Sequence, residues 1–262
     1  MITSVQNTLI KQIIALRDSK ERRSAGLTLI DGVREIARAL DAGINFKQLV
    51  YCKSMFNTRG EEDLLQRMLD ASIEAVEVNE RVFERISFGE RVEGVLAIIQ
   101  SPVITLEQLK LSAQPIVIVL ESVEKPGNLG AMLRSCDGAG VEAVLVCDTK
   151  TDIYNPNVIR ASTGIVFSLP VVADSRVNIS SFLKAKGITT VASSPHAKDV
   201  YTKANFKKAT AFVFGCEDKG LSREWLMLAD SQIKIPMLGK ADSLNVSVSC
   251  ALLVYEALRQ RS

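Results

Sequence analysis

The 262-residue chain has one histidine, one tryptophan and five cysteines, and each scarcity removes a class of chemistry. A lone His196 cannot build a zinc centre with distant cysteines. It also lacks the partners of a Ser-His-Asp triad at the usual spacing, and reads as a loop residue. The cysteines, at 52, 136, 147, 216 and 250, never fall in C-x-x-C spacing. Their odd number argues against a disulfide framework and leaves them as small buried hydrophobes. Long hydrophobic runs are missing too: the stretch Pro115 to Leu120 is of strand length, far short of a membrane span. The N-terminal MITSVQNTLIK lacks the charged start and apolar core of a signal peptide. A cytoplasmic protein using neither metal nor membrane is the expectation. Nor does either sign of charge dominate, because 32 Lys and Arg against 30 Asp and Glu leave a net +2, which by itself announces no nucleic-acid partner.

What the chain does have is 47% hydrophobic and 24% charged residues, the balance of a globular protein long enough for two domains. Its charge is unevenly placed. Lys11, Arg17, Lys20, Arg22 and Arg23 cluster near the N-terminus against Asp18 and Glu21, while Ile10, Ile13, Ile14 and Leu16 keep helical spacing. This predicts a helix with a basic side followed by a basic turn, suited to phosphate contact or to plain solvation. Up to about residue 99, strand candidates (27–30, 46–51, 73–78, 95–99) alternate with helix candidates (32–43, 63–71), predicting a small α/β domain over 1–105. The polar, proline-containing segment SPVITLEQLKLSAQ then leads into a second unit, 106–262.

In that unit the strand candidates are IVIVL, AVLVC, IVFSLPV, ITTVAS, AFVFG and QIKI, with helices after most of them. Such alternation predicts a mainly parallel sheet covered on both faces. Ligands in such sheets collect beyond the carboxyl ends of the strands, and three strand ends carry unusual residues. The first, KPGNLGAMLRSCDGAG at 125–140, opens a helix with Asn128 six residues before Arg134. Its backbone N–H groups suit an anion or a nucleotide, although Asn128 could equally cap the helix that Arg134 decorates. Gly127 and Gly130 supply no G-x-G, and Asp148, near the distance of a ribose-binding acid, follows a strand, so a dinucleotide fingerprint is a weak rival.

The second strand end, FGCEDKGLSREWL, puts Gly215, Glu217 and Gly220 before a helix that Ser222 can cap; capping does not explain Glu217. The third, IPMLGKADSLNVSVSCALLVYEALRQ, ends in a helix in which Val248, Ala251, Leu252, Tyr255 and Leu258 recur at helical spacing, predicting one buried face. Ahead of that face Ser243, Asn245, Ser247 and Ser249 crowd small polar groups together. Ser243 as N-cap would account for one of the four.

Together these segments resemble the three motifs of the SpoU family of RNA ribose 2′-O-methyltransferases, within the SPOUT superfamily. Asn128, Gly130 and Arg134 fall on N-x-G-x-x-x-R, and Phe214, Gly215, Glu217, Gly220 and Leu221 on F-G-x-E-x-x-G-L. Ile235, Pro236 and Met237, then Ser243, Leu244, Asn245, Val246 and Ser247, fall on I-P-M followed by S-L-N-V-S. RASTGIVFSLPV, starting at Arg160, is similar to a further stretch of the family. The first hundred residues, through RRSAGLTLIDGVREIARAL, resemble the ribosomal-protein-like RNA-binding domain many such enzymes carry, with Leu29 and Asp31 standing where another apolar residue and a glutamate are usual.

The resemblance implies a catalytic α/β domain with a deep C-terminal trefoil knot, a feature that general topological rules disfavour. It also implies a homodimer through that domain, and S-adenosylmethionine bound by backbone groups of Gly215, Ile235 and Leu244 with Phe214, Met237 and Val246 nearby. Arg134 would act at the 2′-hydroxyl, and because a guanidinium is effectively always protonated, orientation and electrostatic stabilisation are favoured over general-base action. Asn128 and Asn245 would hold the ribose or the loops, Ser243 would contact substrate or orient Arg134, and Glu217 would pair with that guanidinium. RNA contact is assigned to Lys11, Arg17, Lys20, Arg22, Arg23 and Arg160, with ribosomal favoured over transfer RNA. A catalytically silent RNA-binding protein would show degraded motifs, and a dinucleotide-dependent enzyme would leave the second and third motifs unexplained.

Overall fold

The structure is a computed structural model describing residues 1–88, 93–123, 125–147 and 152–262, so Asp148 lies outside the described residues. The chain divides into two compact units, Met1–Pro102 with Tyr154–Ser168, and Val103–Ile153 with Leu169–Ser262.

The first unit runs α1 (Thr8–Ala15), α2 (Ser19–Ala25), β1 (Leu27–Asp31), α3 (Val33–Asp41), β2 (Phe46–Tyr51), α4 (Arg59–Asp70), β3 (Ala75–Glu77), α5 (Glu80–Ile86) and β4 (Val95–Gln100). Among the described residues its sheet has the order β1-β4-β2-β3, with β4 antiparallel to both neighbours and β2 parallel to β3. Ile10, Ile13 and Leu16 of the first helical segment pack with Val82, Phe83 and Ile86 on the apolar side of Leu29, Val50, Leu96 and Ile98. The basic turn expected after α1 is itself a helix, capped by Asp18, whose side chain accepts from Lys20 N at 2.7 Å.

Tyr154–Ser168 is fixed to this unit by side chains of β1 and α3. Thr28 Oγ1 donates to Tyr154 O at 2.6 Å, and Arg38 Nη1 donates to Thr163 O at 2.6 Å and to Thr163 Oγ1 at 2.7 Å. Within the segment, α7 (Pro156–Ala161) ends in a turn where Thr163 and Gly164 both have positive φ, 56° and 83°. A Cβ at Gly164 would stand 3.2 Å from Glu35 Cα, so the turn needs glycine for space as well as for conformation. This turn also corrects the expected strand IVFSLPV: Ile165–Phe167 form one 3-10 turn, and only Val171–Ala173 is extended.

The second unit runs β5 (Ile116–Glu121), α6 (Pro126–Gly138), β6 (Ala143–Cys147), β7 (Val171–Ala173), α8 (Arg176–Ala185), β8 (Thr189–Ser193), β9 (Asp199–Val200), β10 (Thr210–Phe214), α9 (Arg223–Leu228), β11 (Ser231–Lys234) and α10 (Val246–Arg261). Among the described residues its sheet has the order β7-β6-β5-β10-β8-β11-β9, and every pairing is parallel. β5, β6 and β10 are buried along their whole length, which is why they read as unbroken apolar runs. Trp225 of α9, fully buried, joins the core cluster beside Val117, Leu145 and Val213. Cys52, Cys136, Cys147 and Cys250 are buried free thiols, while Cys216 is partly exposed. No helix among the described residues is long and apolar enough to cross a membrane.

The last helix overturns the expected burial. Val246, Cys250, Leu253, Val254 and Ala257 face the core, whereas Val248, Leu252, Tyr255 and Leu258 are exposed, Tyr255 by 50%. α10 is apolar on two sides, so spacing alone could not choose between them. Gly138 at the end of α6 leaves room for the Tyr255 hydroxyl, which a Cβ there would meet at 2.8 Å.

Candidate functional site

The site grows from the carboxyl ends of three adjacent parallel strands, β5, β10 and β8. After β5 the chain turns through Ser122, at φ 52°, and enters α6 with Pro126 in its first turn. Proline suits that position because its missing N–H would have had no helical partner. Lys125 is the N-cap residue and makes no side-chain cap bond; Asn128 lies inside the helix, so it is not the cap. After β10 the chain folds back on itself: Gly220 N donates to Cys216 O at 3.0 Å, closing a one-residue bridge, with Gly220 at φ 66°. A Cβ on Gly215 would overlap Gly220 and the amide nitrogen of Leu221, so only glycine lets the loop start and finish so close together.

This fold-back presents Glu217 to α6. Asn128 Nδ2 donates to Glu217 Oε1 in a short hydrogen bond. Asn245 Nδ2 donates to Asn128 Oδ1 at 3.2 Å, and Asn245 Oδ1 accepts from Ser247 N at 2.9 Å and Ser247 Oγ at 2.6 Å. One chain of amide and carboxylate bonds thus joins the three segments, from residue 247 through 245 and 128 to 217. Asn245 is also the N-cap of α10, the role expected of Ser243, which stands exposed on the neighbouring loop.

Beside this chain lies a cavity of about 460 Å³, within the size range of small-molecule sites. Its walls include Phe214, Gly215, Glu217, Ser243, Leu244, Asn245 and Val246. The sequence reading missed Lys125, Asp218, Lys219 and the Ser193–His196 segment at the end of β8, all of which line it as well. The signal available for that last segment was its place: it leaves the strand that pairs with β10. His196 is indeed in a loop, but one that faces the cavity. Ile235 and Met237, expected beside the cofactor, are partly buried on the segment after β11 and do not line the cavity.

Arg134 is exposed on α6 and has no hydrogen-bond or ion-pair partner among the described residues. The expected Glu217 to Arg134 pair is not formed among the described residues; Glu217 Oε1 accepts from Asn128 instead. In the first unit Lys11, Lys20 and Arg23 are exposed; Arg17 is exposed too, but its Nη2 donates to Arg85 O at 2.9 Å and to Ser87 O at 2.7 Å, tying the turn after α1 to the end of α5. Arg22 is only 3% exposed and donates Nη1 to Leu16 O at 2.9 Å and Arg17 O at 2.7 Å, so it closes the α1–α2 corner and is withdrawn from the phosphate-facing set. Arg160 is likewise engaged within its unit, with Nη1 3.1 Å from Phe88 O and 3.8 Å from Asp31 Oδ2. No group of three or more His, Cys, Asp and Glu among the described residues is placed to hold a metal.

Comparison with known proteins agrees with this geometry. Residues 115–255 match the SpoU rRNA methylase family, and residues 7–97 match the MRM3-like substrate binding domain. The chain is 29% identical to the 23S rRNA (uridine(2479)-2′-O)-methyltransferase of Streptomyces viridochromogenes, over 99% of this chain and 92% of that one. Among solved structures, an RNA 2′-O ribose methyltransferase is similar at TM-score 0.86 and 44% identity, covering 99% of this chain and 98% of that one. The AdoMet-bound rRNA methyltransferase from Sinorhizobium meliloti is similar at TM-score 0.89 and 28% identity, covering 98% and 97%. Three motifs drawn into one hydrogen-bonded wall, a parallel α/β sheet behind them and full-length relatives lead to one conclusion: the chain belongs to the SpoU rRNA methylase family and is an RNA methyltransferase.

Proposed function

We propose that this chain transfers a methyl group from S-adenosylmethionine to a ribose 2′-hydroxyl of structured RNA, ribosomal in preference to transfer RNA. The observation that carries the reading is the bond chain from Ser247 through Asn245 and Asn128 to Glu217, which ties the three motifs together beside a small-molecule cavity that Glu217 and Asn245 line. The cavity fits the cofactor. Phe214, Leu244 and Val246 supply apolar wall, Gly220 leaves its backbone open to a close approach, and Glu217 and Asp218 are carboxylates able to face a cation. When bound, the cofactor supplies an electrophilic methyl group.

The protein's own residues must then align the hydroxyl and manage its proton. Alignment alone supplies much of the rate, since converting an encounter into a fixed geometry is worth about 7–11 kcal/mol in favourable cases. Arg134, without a partner among the described residues, offers a planar fork matched to a phosphate flanking the target ribose. In this reading it orients the nucleotide and stabilises charge developing on the hydroxyl oxygen. Asn128 and Asn245 hold the loops together through the hydrogen bond between their side-chain amides, and Ser243 contacts the substrate at the cavity rim.

Two features implied by the family belong to the same proposal. The strand order supports the knot: β11 lies beyond β8 on the side away from β10, yet α10 packs on α6, so residues 235–245 must cross the carboxyl ends of the intervening strands. The exposed stripe Val248, Leu252, Tyr255 and Leu258 supports a homodimer through the second unit. Relatives that span nearly the whole chain are named rRNA methyltransferases, and the first unit matches a substrate-binding domain, which together support a cytoplasmic protein that meets its RNA there.

Mapping of 2′-O-methyl positions in total RNA from cells with and without the protein tests the activity. Loss of one methylated ribosomal position is the expected result; an unchanged map together with retained RNA binding would identify a silent binder.

A further inference from the structure

Glu121, the last residue of β5, is 5% exposed, and neither the motifs nor the mechanism above uses it. Its Oε2 accepts from the backbone N–H of Ser222 at 2.7 Å, and its Oε1 lies 3.7 Å from Arg176 Nη1 at the start of α8. Ser222 is the first residue after the Gly215–Leu221 loop and the N-cap of α9. A buried carboxylate is costly unless its oxygens are satisfied, and here one is spent on a single main-chain amide at the exit of the loop. The helix beyond does not need it: Trp225 is fully buried, and its amide is already capped by Ser222 Oγ at 3.2 Å.

We propose that Glu121 is a positioning residue, gripping the exit of the Gly215–Leu221 loop so that Glu217 and the loop backbone keep the shape that binds the cofactor. The loop is then held at three points: by the close approach of Gly215 to Gly220 at its base, by Asn128 on Glu217 at its tip, and by Glu121 on Ser222 N at its exit. Releasing the exit lets the cavity wall relax while the strand and α9 stay in place. The inference rests on the reading of this cavity as the S-adenosylmethionine site.

The test is calorimetric titration of S-adenosylmethionine into the full chain, with thermal unfolding recorded for each variant. Glu121→Ala removes the grip, whereas Glu121→Gln keeps an acceptor for Ser222 N. Ser222→Pro deletes the amide donor at φ −61°, an angle that the proline ring adopts, and Ser222→Ala keeps the donor and deletes the cap. Glu121→Ala and Ser222→Pro should weaken Kd about tenfold or more, while Glu121→Gln and Ser222→Ala stay within about threefold, even where Tm falls. Native affinity in Glu121→Ala or Ser222→Pro overturns the proposal, as does equal weakening in Glu121→Gln and Glu121→Ala. If Glu121→Ala does not fold, the two Ser222 variants decide. Failure of the unmodified protein to bind S-adenosylmethionine would instead reject the cavity assignment.

Discussion

Arg134 and Glu217 show how residues of similar prominence in sequence come to differ in structure. Both stand in motifs, and pairing them was the economical expectation. Instead Glu217 is held by Asn128, leaving the guanidinium exposed for an external anion. Arg134→Ala should therefore abolish methyl transfer while S-adenosylmethionine affinity stays near that of the unmodified chain, and turnover at the native rate would end that assignment. The clustering of Asn128, Glu217 and Asn245 was legible from motif spacing, but the direction of their bonds was not, because it depends on how tightly the Gly215 loop folds back. Arg22 carries the reverse lesson: a count of basic residues records charge, not position, and this one is spent on two main-chain carbonyls.

Asp31 supplies a pH prediction at the same scale. Burial pushes its carboxyl up to about 6 from 3.8, against the opposing pull of the Phe88 amide and Arg160. Glu93 and Glu35 add to the rise. Since the folded value lies above the unfolded one, the associated stability is fully present below about pH 4 and is lost as pH rises through about 6, a change on the order of 3 kcal/mol. Asp31→Asn should raise Tm relative to the unmodified chain near neutrality and converge with it in acid. A difference in Tm that does not vary with pH would contradict this.

At the scale of elements, burial decides what a pattern can reveal. β5, β6 and β10 are central strands covered on both faces, so their sequences are continuous apolar runs and were readable as strands. IVFSLPV has a similar composition, yet a left-handed Gly164 packed against α3 turns its first half into a 3-10 segment, a consequence of contacts distant in sequence. α10 carries two apolar sides, and the one chosen from spacing is the exposed one. If that stripe is the dimer surface, Leu252→Arg should shift light-scattering mass from dimer to monomer with secondary structure retained. An unchanged mass would free the stripe from that role.

Across the whole molecule, the proposed cofactor cavity and the surface cations proposed to meet RNA lie in different units. The cavity residues all belong to the second unit, and the exposed basic residues of α1 and α2 to the first. Replacing Lys11, Lys20 and Arg23 together by Gln should flatten the salt dependence of RNA binding, by about 0.7–0.9 in the log–log slope for each phosphate no longer neutralised. Cofactor affinity should not change. The same slope in both proteins would move the RNA path elsewhere. The two units could be anticipated from composition, but the allegiance of Tyr154–Ser168 could not, because Thr28 and Arg38 hold it from more than a hundred residues away.

That excursion bears on how such a chain could be recombined. The main chain passes between the units three times, after residues 102, 153 and 168. Exchanging residues 1–102 for those of a relative would leave a native insert, Tyr154–Ser168, facing foreign partners at positions 28 and 38. A productive chimera must carry both pieces from the same parent, and shuffling at the first junction alone should give rise to few functional hybrids.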